Sequence, residues 1–284
     1  MKTLRILHTT DYHYRSPVTF GTHRAMIRPR EGHDLHIKGA RLSIQPDGTV
    51  RWIRDIYDNS IAILTFAKAS DHLSLQSEVT VEIYDDNPLE CLVDPAAKSF
   101  PFEYSADEQL EIIPYRLAGH PGDAPAVLGW LAERIYRPGD LANTFDLLKN
   151  LNSAIHQDFI YAWRDEPGVQ SPARTLELGS GSCRDYAFFF MEAARHLGLA
   201  ARFVTGYILL GEGNHGATHA WVEVYIPGTG WRGFDPTNNK LAGFEHVSVA
   251  VARDPHKASP LSGTWSGPAD AFEKLNVSVQ VVAV

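Results

Sequence analysis

Residues 179–198 read GSGSCRDYAFFFMEAARHLG, and the organisation of the chain can be read outward from this stretch. Gly179 and Gly181 permit a tight turn, Ser182 is a good N-cap and Gly198 a natural stop, so the pattern predicts a helix from Ser182 or Cys183 to His196. Cys183 falls in its first turn, above Ala187, Phe190, Met191 and Ala194, the face that would bury against a sheet. A lone cysteine on such a face is commonly inert packing. Its place at a helix N-terminus is what gives it chemical interest. The thiolate is the nucleophilic form, and about half a positive charge together with unpaired N–H groups favours an anion there. The same groups, the Cys183 N–H first among them, can receive the oxygen of a tetrahedral intermediate.

A thiol needs a base, and the chain offers one downstream. Thr218-His219-Ala220-Trp221-Val222-Glu223-Val224-Tyr225 reads as a strand, Ile226-Pro227-Gly228-Thr229-Gly230 as a turn, and Trp231-Arg232-Gly233-Phe234-Asp235 as a returning strand. His219 and Asp235 then stand near the same open end of a hairpin, where the carboxylate can fix the tautomer and aim of the ring. Taken singly, each has an ordinary reading, as a hydrogen-bonded strand histidine and an aspartate opening a turn before Pro236. Register separates the readings. Pairing Ile226 with Trp231 puts His219 and Asp235 on opposite faces; pairing Tyr225 with Trp231 puts Asp235 across from Trp221 and diagonal to His219. Catalysis requires the second register, which is the one expected.

The flanking sequence divides in texture. Before residue 105, runs at Leu4–His8, Arg41–Ile44, Val50–Tyr57, Ser60–Ala67 and Leu73–Tyr84 read as strands, and Ser77–Tyr84 alternates as a half-buried antiparallel strand should. This is a β-rich, sandwich-like module, assigned to residues 1–105. Residues 106–284 carry helical spacing over Asp123–Tyr136 and Thr144–Gln157, then the Cys183 helix, then strands at Ala201–Leu209, Thr218–Tyr225, Trp231–Asp235 and Leu275–Val282. The overall class is α+β, with helices packed on an antiparallel sheet in the second part.

Composition narrows the function classes. With 44% hydrophobic and 21% charged residues, the chain has the make-up of a globular protein with a sizeable core. A net charge of −8 disfavours a nucleic-acid partner. Cys91 and Cys183 are too few for a disulfide framework or a Cys-rich zinc site. The longest greasy run, Ile61–Ala67, falls far short of the ~20 residues of a spanning helix, and His8, Asp11 and His13 interrupt any signal-like start. No membrane association is expected, and the default compartment is the cytoplasm.

The segments Gly181-Ser182-Cys183-Arg184-Asp185, Ala200–Tyr207, His219–Glu223 and Gly233-Phe234-Asp235-Pro236-Thr237 together resemble the transglutaminase-like superfamily in its bacterial branch. Leu4–Thr10, Pro17-Val18 and Arg28-Pro29-Arg30 resemble the β-rich domain that precedes the core in that branch, and the stretch from Val247 to the last strand is similar as well. One departure is Val251-Ala252-Arg253-Asp254, where the branch often has Gly before Arg-Asp. The resemblance implies a papain-like core with the nucleophile at Cys183, the base at His219 and the orienting acid at Asp235. It implies acyl transfer on a protein, peptide or small amide, ending in hydrolysis or transamidation, with no cofactor and no metal. Tyr161 or Trp163 is a candidate second oxyanion donor, with plain cleft packing as the alternative, and Arg184 and Asp185 are a candidate local ion pair. Two rivals stand beside this reading. One is a non-enzymatic binding or scaffold module; the other is a metal site among His8, His13, His23, His33 and His36.

Overall fold

Leu4, Ile6, His8 and Thr10 are buried while Arg5 is exposed, the period-2 signature of a strand with one face on a core. They belong to β1 (Lys2–Phe20), the long strand around which a computed structural model, describing residues 1–84, 92–209 and 218–284, builds its first part. There follow β2 (His23–Ala25), β3 (Leu35–Gln45), β4 (Gly48–Arg54), β5 (Ser60–Phe66) and β6 (Ser70–Ile83). β6 lies antiparallel between β1 and β3, whereas β5 lies between β2 and β4 in a second sheet. Tyr14, Val18, Phe20, Leu64, Leu73 and Leu75 fill the space between them, so the first part is the sandwich expected from its alternating runs.

The second part begins with a short pairing of β7 (Ser99–Phe100) with β8 (Ala142–Asn143). Three helices follow the expected or a newly seen pattern: α1 (Ala106–Arg116), α2 (Ala124–Arg134) and α3 (Thr144–Asp158). Two further elements, β9 (Ile160–Tyr161) and β10 (Ser180–Gly181), pair in parallel on either side of α4 (Pro172–Leu178). Next comes α5 (Cys183–His196), whose residues from Asp185 to Arg195 are all buried. It packs on a sheet ordered β14-β13-β12-β11-β15, made of β11 (Ala201–Ile208), β12 (His219–Ile226), β13 (Gly230–Asp235), β14 (Lys240–Leu241) and β15 (His246–Ala252). Neither α1, α4 nor β15 was anticipated from the sequence.

α5 is held at its far end by a buried ion pair. Arg195 donates to Glu192 (2.9 Å) and to the carbonyls of Tyr115, Ala201 and Arg253, while Glu192 accepts the N–H groups of Gly119 and His120. Every partner of the two charges is thereby a hydrogen-bonding group, which is what makes the burial tolerable.

The chain end corrects the simple division at residue 105. After β15, short strands β16 (Leu261–Ser262) and β17 (Trp265–Ser266) pair with β2 and β1, and β18 (Phe272–Ala283) runs antiparallel to β1 from Leu4↔Ala283 to Tyr14↔Phe272. The last strand thus completes the N-terminal sheet rather than the core sheet. Without β18 the edge of β1 away from β6 would be left open, and only a long-range partner covers it. Leu4, Ile6, Val79, Val81, Val279 and Val281 join Tyr207, Val247 and Val249 in one apolar cluster, so the two parts share a core. At this junction the Tyr207 hydroxyl donates to the Ile27 carbonyl (3.2 Å) and pairs with His8 Nδ1 (2.9 Å).

Candidate active site

The start of α5 is organised by Asp185, which is fully buried. One carboxylate oxygen accepts the N–H and hydroxyl of Ser182 (2.8 and 2.7 Å), closing a capping box, and the other accepts Arg164 Nη1 and the Gln170 N–H (both 2.7 Å). Asp185 therefore fixes the loop over residues 162–170 against the helix start. The expected pairing of Arg184 with Asp185 does not form. Asp185 points inward to Arg164, and Arg184 instead donates Nη2 to the carbonyls of Arg164 (3.2 Å) and Glu166. This geometry leaves the Cys183 N–H at the first helical position, where no intrahelical acceptor exists.

Cys183 opens on a cavity of about 580 Å³, whose wall also contains His219, Tyr161, Trp163, Arg184 and Asn238. The β9–β10 pair brings Tyr161 beside Gly181, two residues from the thiol. Burial raises the Tyr161 phenol to about 12, with the nearby Cys183 adding to the effect, so the hydroxyl keeps its proton and can serve as a donor. Trp163 is different. Its indole N–H is given to Asp165 (2.8 Å), and the ring is 66% exposed, which makes it cleft wall rather than oxyanion donor.

The β12–β13 hairpin has Tyr225 opposite Trp231 and Val222 opposite Phe234, the register that catalysis requires. His219 Nε2 donates to Asp235 Oδ2 at 2.8 Å. The Trp221 indole makes this alignment sterically demanding. A Cβ on Gly206 would lie 2.2 Å from the Val247 carbonyl oxygen and 2.6 Å from the Trp221 ring, and one on Gly233 would lie 3.3 Å from the indole nitrogen. Glycine at both positions lets the indole lie buried beneath His219, with ring centroids 6.1 Å apart.

Asp235 has no exposed surface and a full set of donors. Oδ1 accepts the N–H groups of Thr237 (3.0 Å) and Asn238 (3.2 Å); Oδ2 accepts Asn238 Nδ2 (2.7 Å), His219 and His246 Nε2 (3.0 Å). Burial alone would push this carboxyl up, but the hydrogen bonds and charges of the two imidazoles outweigh it and hold the group well below the usual carboxylate range. At His219 burial works to lower the pKa, yet hydrogen bonds and charge from Asp235 and Cys183 prevail and raise it from 6.5 to about 10. The imidazolium is therefore the favoured form at neutral pH, held between a carboxylate and a sulfur.

Sequence reasoning missed His246. Its strand begins just after the Gly243 turn, and nothing local points it at a residue eleven positions earlier. The Gly243 N–H donates to His246 Nδ1 (3.4 Å), which places the proton of Nε2 on the side of Asp235. His219, Asp235 and His246 also form a group of metal-type donor atoms within 4.8 Å of one another. The tautomer argues for hydrogen bonding instead, since a metal on Nε2 would turn Nδ1 into a donor facing the Gly243 N–H. The N-terminal histidines of the metal alternative are not gathered into such a group among the described residues. His8 pairs with Tyr207 and Thr10, His23 with the Gly21 carbonyl, and His36 with Glu31.

Residues 4–82 match the family model described as the bacterial transglutaminase-like N-terminal region, and residues 131–236, which include Cys183, His219 and Asp235, match that of the transglutaminase-like superfamily. The chain belongs to the transglutaminase-like superfamily. Similar to this transglutaminase-like chain is an uncharacterized protein of Mycobacterium tuberculosis (strain ATCC 25618 / H37Rv), 26% identical over 282 residues that cover 91% of this chain and 86% of the relative. Another, from Mycobacterium leprae (strain TN), is 24% identical over 291 residues covering 94% of both chains. The crystal structure of a protein from Cytophaga hutchinsonii, provisionally described as a cysteine protease, has the same fold, with a TM-score of 0.74 at 20% identity, covering 100% of this chain and 91% of that one.

Proposed function

We propose that this transglutaminase-like protein is an enzyme that transfers acyl groups from amides through a thioester on Cys183. The carrying observation is that Cys183 and His219 open on one cavity while the far nitrogen of His219 is bonded to buried Asp235. The thiolate attacks the amide carbonyl, a C–S bond forms, and the oxyanion is met by the Cys183 N–H and the Tyr161 hydroxyl. The C–N bond then breaks as the His219 imidazolium passes its proton to the departing ammonia or amine. In the second half His219, now neutral, takes a proton from the incoming acceptor as it attacks the thioester, which releases the thiolate. Water as acceptor gives hydrolysis; a primary amine gives transamidation. Asp235 holds the ring through both halves, and His246 holds Asp235.

Intact-mass detection of an acyl adduct on Cys183, after incubation with peptide and small-amide libraries, tests this reading. Expected is an adduct that Cys183→Ala abolishes, and a second arm with added primary amine identifies the acceptor. A wild-type chain that gains no adduct, and whose Cys183 is alkylated no faster than a model thiol, would overturn it.

A further inference from the structure

The chain as a whole carries a net charge of −8, yet the wall of the Cys183 cavity has the opposite character. Among the described residues its ionisable lining includes Arg164, Arg184, His219 and His256, and no carboxylate. Most of this charge is already matched from behind. Arg164 is paired with Asp185 at 2.7 Å and Glu166 at 3.5 Å, and His219 with Asp235 at 2.8 Å. Arg184 and His256 have no carboxylate partner among the described residues, and of the two Arg184 carries the permanent charge. It is held by the carbonyl oxygens of Arg164 and Glu166, which fix the guanidinium without neutralising it. A cation is thus fixed in place one residue from the nucleophile, in a cleft where a low-dielectric wall strengthens its field. An anion arriving there meets a donor whose side-chain freedom is already spent, which lowers the cost of binding it.

We infer that Arg184 makes this cleft select acyl donors that carry a carboxylate close to the scissile amide. The inference rests on the acyl-transfer reading above and adds the substrate class to it. A purely structural Arg184, one that only ties down the loop over residues 164–166, would affect anionic and neutral reagents alike.

Iodoacetate and iodoacetamide separate the two roles. Each forms an S–C bond at Cys183 and expels iodide; they are similar in size and differ in one negative charge. The quantity to measure is the ratio of their rate constants at Cys183, located by peptide mapping and divided by the same ratio for a neutral model thiol. For the wild-type chain the normalised ratio is expected to be about tenfold above one at low ionic strength, falling as salt is added. Arg184→Gln keeps a polar N–H group, two bonds short of the guanidinium tip, but removes the charge, and should lower the ratio roughly threefold or more. Arg184→Met is the second neutral variant should the first not fold, and Arg184→Lys should keep most of the preference. Because it is a ratio, a general loss of thiol reactivity cancels.

A wild-type ratio at or below one, or a neutral variant that reacts with the ratio unchanged, would overturn the inference while leaving the acyl-transfer reading in place. Failure of both reagents to outpace the model thiol in the wild-type chain would instead remove that reading and the inference with it. Two short competitors then distinguish the source of the carboxylate. One has a free C-terminus, and the other is amidated and carries a Glu side chain. Protection of Cys183 from iodoacetamide by either supports the inference and names the preferred carboxylate, whereas protection by neither counts against it.

Discussion

Replacing Asp235 by Asn places an amide where a buried carboxylate accepts five donors, and its consequence can be sized from His219. Burial tends to lower the imidazole pKa, but Asp235 and Cys183 together raise it from 6.5 to about 10. That difference corresponds to about 5 kcal/mol in favour of the imidazolium. If roughly half belongs to the carboxylate, Asp235→Asn costs the charged pair about 2–3 kcal/mol, or about a hundredfold in its population. The His219 pKa should drop by about two units, since burial is then opposed by the sulfur alone. The assay is the rate of iodoacetamide labelling at Cys183, followed by mass spectrometry between about pH 5 and 9, with peptide mapping to separate it from Cys91. A fall of up to about a hundredfold is expected. A folded Asp235→Asn chain labelled within threefold of wild type would refute the assignment of Asp235 as the group that sustains the imidazolium.

Other consequences concern stability. His246→Leu removes one of the donors to Asp235 and should cost about 1–3 kcal/mol in denaturant unfolding, with His246→Gln recovering most of it. Arg195→Met leaves the buried Glu192 carboxylate with only backbone donors, and a loss of about 3–5 kcal/mol is expected in the same measurement. Burial lowers the His8 pKa from 6.5 to about 4, so the fold favours the neutral ring. Its contribution is complete above pH 6.5 and should be lost as pH falls towards 4, amounting to about 3 kcal/mol by linkage. Unfolding curves taken through that window should steepen the acid loss in wild type and flatten it in His8→Gln.

Much of the candidate site was legible because its signals are local. The Gly-Ser-Gly-Ser run before Cys183 has the chemistry of a turn and cap, and the apolar face from Ala187 to Ala194 fixes the helix that carries the thiol. Parity narrowed the hairpin to two registers, and the requirement that His219 and Asp235 share a face chose the one observed, since a one-residue slip would have sent Asp235 to the wrong face. What escaped is long-range or weakly patterned. Helix α1 has a readable capping box, Ser105 with Glu108, but it buries only Ile112 and contains Pro114, so no apolar stripe advertises it. The return of β18 to β1 joins residues at opposite ends of the chain, and alternation cannot name a partner. His246 reaches Asp235 only because β15 lies against β11 beside the hairpin, a sheet order with no signature in spacing. Arg184 and Asp185 show the converse difficulty. Sequence neighbours of opposite charge at a helix start invite pairing, yet the capping geometry turns Asp185 inward to Arg164.

The most direct test of the site is an NMR titration of the His219 ring nitrogens, assigned with a His219→Gln chain. With Asp235 on one side and Cys183 on the other, the ring should remain doubly protonated through neutral pH and lose its proton only near 10. A His219 that titrates near 6.5 like a histidine in water, with Cys183 and Asp235 both in place, would contradict the charged pair on which the proposed chemistry depends.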